Sequence, residues 1–77
     1  MLSKNVPKVL AAGFVLVRKR KVKRDLTNIH FVIERYEQGQ GWVEIYAHRQ
    51  AYFAKEMMNN LLQDEKVLEI NIGASLN

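Results

Sequence analysis

Only one stretch of this sequence repeats its apolar residues at the helical period. Ala47, Ala51, Ala54, Met58, Leu61 and Leu62 fall on one stripe, with Arg49, Glu56 and Asn60 on the polar side. The spacing predicts a helix over His48–Gln63. The remaining apolar residues come in short runs rich in β-branched side chains, the pattern of strands. One helix cannot bury its stripe alone, so it must lie on a sheet built from those runs. The expected fold is α+β: a four-stranded mixed sheet in β-β-β-α-β order, with the helix packed on one face.

The strands are expected over Val9–Val17, Ile29–Tyr36, Trp42–Tyr46 and Val67–Ile72. Glu37-Gln38-Gly39-Gln40-Gly41 reads as a turn, because paired glycines supply positive φ. The first segment also admits a helix capped by Asn5 with Pro7 near its start, but Gly13 and the Val/Phe content favour a strand. The last strand, following the helix, runs parallel to the third and pairs beside it or beside the first. With Val15 and Val17 set opposite Ile33 and Phe31, and those opposite Ile45 and Ala47, one face collects Val15, Val17, Phe31, Ile33, Val43 and Ile45 for the helix. The other face collects Phe14, Leu16, Val32, Tyr36, Trp42 and Tyr46, with Glu34 opposite Glu44. Two like charges so placed need a neighbouring Lys or Arg. At 77 residues there is room for a single domain, with a loose lead-in over 1–8 and a frayed end over 73–77.

Charge is concentrated. Residues 1–33 hold eight Lys/Arg and one acid, whereas residues 34–77 hold four and seven. Six cations occupy the run Arg18, Lys19, Arg20, Lys21, Val22, Lys23, Arg24. In the register above this run lies beyond the paired apolar residues and forms a basic hairpin arm over 18–28. Six like charges repel one another and gain when an anionic polymer neutralises them. The bland alternative is a solvated tip whose lysines guard a strand edge.

Function therefore reads as non-catalytic binding. Arg18, Lys19, Arg20, Lys21, Lys23 and Arg24 would hold phosphates of a nucleic acid with little sequence specificity, and Tyr36, Trp42 and Tyr46 would offer a stacking platform beside them. The alternative is a protein-interaction or regulatory module that homodimerises or docks on an acidic protein. Phe14 and Leu16 on the outer sheet face, or Tyr52, Phe53 and Met57 on the helix, would then make the contact. The order strand–strand–strand–helix resembles small nucleic-acid-binding modules such as the double-stranded RNA-binding and integrase N-terminal classes. It lacks the leading helix of the first and adds a closing strand.

No residue pattern calls for catalysis, a cofactor, a metal or a small-molecule substrate. His30 and His48 fit no ligand spacing, and His48 reads as a helix-entry residue. Ser3, Thr27 and Ser75 lie outside any nucleophile motif. Gly39-x-Gly41 lacks the following helix start of a phosphate loop. The absence of cysteine suits a reducing cytoplasm. The apolar run Val9–Val17 is too short to span a membrane.

Overall fold

The computed structural model describes residues 8–70. Three antiparallel strands, β1 (Val15–Lys23), β2 (Ile29–Glu37) and β3 (Gly41–His48), precede a helix, α1 (Ala51–Leu61), and a short strand, β4 (Val67–Glu69). The sheet order is β3-β2-β1-β4, with β4 parallel to β1. This is the expected four-stranded mixed sheet with one helix on it, and the last strand takes the position beside the first. Residues 71 and 72 of that expected strand, and the lead-in and frayed end apart from Lys8, lie outside the described residues. No helix among the described residues is long and apolar enough to cross a membrane.

The first strand sits six residues later than the sequence suggests. Residues 8–11 form a helical turn. Gly13, at φ 88°, ends it rather than preventing it. Its amide donates to the Leu10 carbonyl (3.0 Å) and the Phe14 amide to the Val9 carbonyl (3.1 Å), a paired closure that needs a left-handed residue. The basic run consequently belongs to β1, in regular register from Val17 opposite Arg35 to Lys23 opposite Ile29. The expected arm over 18–28 is thus mostly ordered strand. Only the rungs Val22–His30 and Lys23–Ile29 and the turn between them extend past the last β2–β3 rung, Phe31–His48. Asp25 organises that turn. Its carboxylate accepts the backbone amides of Thr27 and Asn28, each at 2.9 Å, and the Asn28 side-chain amide at 2.8 Å. These bonds, the Thr27 amide foremost, hold the Asp25 carboxyl below its ordinary value.

The first hairpin keeps the expected side-chain parity but slips four residues, so that Ile33 faces Lys19 and Phe31 faces Lys21. A bulge changes the second. The register shifts between Ile33 and Glu34, leaving Ile45 unopposed between Tyr46 (opposite Ile33) and Glu44 (opposite Glu34). Ile45 is therefore 40% exposed, and Tyr46 turns to the helix face in its place.

The core sits between the sheet and α1. Val17, Ile33 and Met58 are essentially inaccessible, and Val15, Tyr46, Met57, Leu61, Leu62 and Val67 pack around them. Of the predicted stripe, Ala54 and Met58 are buried and Leu61 and Leu62 close the end. Ala51 is exposed, and Ala47 belongs to β3. The helix starts later than predicted because His48 remains in the strand, where its Nδ1 accepts the Gln50 amide at 3.0 Å and turns the chain into the helix. The turn at 37–41 forms as expected, with Gly39 and Gly41 at φ 89° and 83°.

Candidate nucleic-acid interface

Because β1 is a strand, its alternate residues point to opposite faces, and this divides the basic run in two. Arg18 and Arg20 lie on the outer face with Leu16, Val32 and Glu34. Glu34 is 7% exposed. Its Oε1 accepts the Nε of Arg18 at 2.7 Å and of Arg20 at 2.9 Å, and its Oε2 accepts Nη2 of Arg20 at 3.2 Å. Burial pushes this carboxyl up, but the hydrogen bonds and charges of the two guanidinium groups outweigh it and hold Glu34 below its usual range. Arg24 reaches Glu44 at 2.5 Å. The facing glutamates are thus relieved by arginine, as their opposition requires.

The expected platform of Tyr36, Trp42 and Tyr46 does not assemble. Tyr36 and Trp42 share the outer face in an edge-to-face pair, ring centroids 5.4 Å apart. The Arg18 guanidinium lies 4.3 Å from the Trp42 ring centre, so this ring already carries a cation. Tyr46 is on the opposite side, in the core, because of the bulge at Ile45. Nor do Phe14 and Leu16 form an open apolar seam. Leu16 is 2% exposed within the single chain, and Phe14 is half-buried with the Lys66 ammonium 4.5 Å from its ring.

The lysines differ. Lys19, Lys21 and Lys23 stand on the helix face opposite Ile33, Phe31 and Ile29. Among the described residues none of the three forms an ion pair, and neither does Lys55 on the helix. Lys21 sits over the Phe31 ring, 5.9 Å from its centre. Lys19, Arg20, Lys21 and Lys55, with Phe31, Ala51 and Tyr52, line a groove of about 350 Å³ between β1 and the start of α1. Among the described residues the backbone beyond Val17 at this edge has no strand partner. The Val15 amide donates to the Lys66 carbonyl and the Ile70 amide to the Val17 carbonyl, so odd-numbered residues of β1 turn their backbone groups toward β4. β4 reaches only Val17, and the backbone groups of Lys19, Lys21 and Lys23 face outward with no described strand beside them.

Tyr52 and Phe53 are 67% and 41% exposed. Phe53 packs against the His48 ring at 4.4 Å and Tyr52 against Phe53 at 5.3 Å, which braces this aromatic group at the groove's rim. Met57 does not join them, since it turns into the core. Sequence reasoning missed Lys55 and Phe31. Lys55 carried a usable signal, three residues after Tyr52 and so on the same side of a helix. Phe31 had none, as it was assigned to the core. No group of three or more His, Cys, Asp or Glu side chains that could hold a metal ion occurs among the described residues. Comparison with protein-family models, with curated proteins and with solved structures finds no match.

Proposed function

We propose that the protein is a non-catalytic nucleic-acid-binding module that works through the lysines of its basic run and not through the arginines. The observation behind this reading is the row Lys19, Lys21, Lys23, three exposed lysines whose backbone positions recur about every 6.7 Å on one strand face, with no ion-pair partner among the described residues and Lys55 across the groove. Arg18, Arg20 and Arg24 are already engaged by Glu34 and Glu44. Binding them to phosphate would cost those pairs. Exposed lysine side chains read charge and not base sequence, so specificity is low. The cysteine-free composition suits a reducing compartment, and the cytoplasm is the proposed location.

The test is a salt titration of binding to mixed-sequence DNA and RNA, with the triple variant Lys19→Gln, Lys21→Gln, Lys23→Gln beside the native chain. The native log–log slope should fall by about 2–3 in the variant, at ~0.7 per phosphate on single strands and ~0.9 on duplex DNA. Folding should be unchanged, because all three side chains are exposed. No binding at low salt, or an unchanged slope, refutes the reading.

A second reading rests on the part of β1 beyond Val17, which has no strand partner among the described residues and where an acidic extended segment of another protein could add as a strand. A homodimer by edge pairing is disfavoured, since it would set one lysine row against another.

A further inference from the structure

The geometry points to an unpaired base, and hence to single-stranded nucleic acid, as the occupant of the groove between β1 and α1. This rests on the nucleic-acid reading above and narrows it. The groove is about 350 Å³, and Phe31, Ala51 and Tyr52 line it together with Lys19, Lys21, Lys55 and the Glu34-paired Arg20. A duplex offers such a site phosphates, sugars and base edges but no base face, because its bases are stacked on one another. The aromatic lining would then stay uncovered. An unstacked base fills it, laying an apolar ring on Phe31 and Tyr52 while its flanking phosphates reach Lys19, Lys21 and Lys55. The strand supports the same path. Lys19, Lys21 and Lys23 recur every second residue and form a straight row along which an extended backbone can run.

A second depression of about 240 Å³ adjoins the first and shares Tyr52 and Lys55 with it. Tyr52, 67% exposed, therefore borders two hollows. Glu56 and Asn59 line the second and offer hydrogen-bonding groups to a base edge, where a phosphate would meet the Glu56 charge. Successive bases thus fall on either side of Tyr52, with Lys55 beside the phosphate between them. A hollow of about 310 Å³ beside Phe14 and Tyr36 is less suited to a polyanion, since its one lining cation, Arg35, is paired with Glu37, and Trp42 is already occupied by Arg18 and Tyr36.

The experiment compares the native chain with Tyr52→Ala and Tyr52→Phe by fluorescence anisotropy, on a labelled mixed-sequence single strand and on the same sequence as duplex, with a poly-glutamate peptide as competitor. Circular dichroism checks that the exposed position leaves folding intact. The native chain should prefer the single strand by about tenfold. Tyr52→Ala should lose about tenfold on the single strand, at the stacking contribution usual for one aromatic residue, and change duplex binding less than about twofold. Tyr52→Phe should bind as the native chain does. Equal binding to both forms, unaffected by Tyr52→Ala, overturns the single-strand assignment while leaving nucleic-acid binding in place. No binding to either form removes both. Competition by poly-glutamate as effective as by unlabelled oligonucleotide overturns the assignment in favour of an acidic protein partner.

Discussion

Replacing Glu34 with Gln keeps the shape of the side chain and removes the charge that two arginines share. In the native protein the carboxylate accepts three hydrogen bonds, from Arg18 and Arg20. Hydrogen bonds to a charged group contribute ~1.5–3 kcal/mol where neutral ones contribute ~1. An amide can retain one acceptor toward these donors, but its NH₂ group then faces a guanidinium N–H. The two arginines differ in what they can recover. The Arg20 side chain is 42% exposed and can hydrate, whereas Arg18 is 13% exposed and cannot do so fully. The loss is therefore smaller than the ~3–5 kcal/mol of a fully buried broken pair, and about 2 kcal/mol is expected. For a domain of this size that lowers Tm by roughly 8–16 °C. The pH dependence has a definite sign. The folded carboxyl lies below its ordinary value of 4.5, so its contribution is complete above that pH and is lost as pH falls through the lowered folded value. Urea unfolding followed by circular dichroism, at neutral pH and at pH ~2–3, should give a gap between native and variant that closes in acid. A neutral-pH gap under about 0.5 kcal/mol, or one that persists undiminished in acid, would refute the reasoning.

Ile33 is completely buried between Val17 and Met58; Ile33→Ala should cost ~2–5 kcal/mol in urea unfolding, and a value below 1 would mean the helix does not seat there. The charge-conserving pair Arg18→Lys, Arg20→Lys should lose ~1–2 kcal/mol, because an ammonium cannot reproduce the guanidinium fork on Glu34. The converse pair Lys19→Arg, Lys21→Arg should leave both stability and the salt slope of binding within error, as checked by thermal melts and anisotropy.

The architecture was legible in the sequence where a period was long or a turn residue unambiguous. The stripe through Ala54, Met58 and Leu61 marks the helix and its buried face. The glycines at 39 and 41 mark the second hairpin. Two features escaped because they depend on pairing, which no local pattern encodes. The slip of the first hairpin arises because Gly13 belongs to a helix end, which starts β1 at Val15 and carries the strand through the cations. A strand bearing Arg-Lys-Arg-Lys has little apolar alternation, and only the partner residues Phe31, Ile33 and Glu34 reveal that it is paired. The bulge at Ile45 escaped for a similar reason. The alternation from Trp42 to Tyr46 is compatible with either parity, and it is the burial of Tyr46 against Ile33 that selects one.

The basic run then has a physical logic that net charge alone conceals. Each of its arginines, 18, 20 and 24, has a carboxylate, and among the described residues none of its lysines, 19, 21 and 23, forms an ion pair. The two residue types suit those places. A planar guanidinium can bridge to a half-enclosed carboxylate in fixed geometry and still lie against Trp42, as Arg18 does. An ammonium is strongly hydrated, and it is best kept on an exposed edge where it can shed water for an incoming anion. Strand alternation places the two sets on opposite faces without any change in the backbone. On the outer face three cations meet two glutamates, so most of the field cancels locally. On the helix side the lysine row and Lys55 stand around an aromatic groove. The strand edge they occupy is also the place where an unguarded sheet would recruit a second copy. The lysines proposed to meet an anionic polymer would also keep like edges apart, and the separation of arginine from lysine leaves one strand ion-paired on one face and free of ion pairs, among the described residues, on the other.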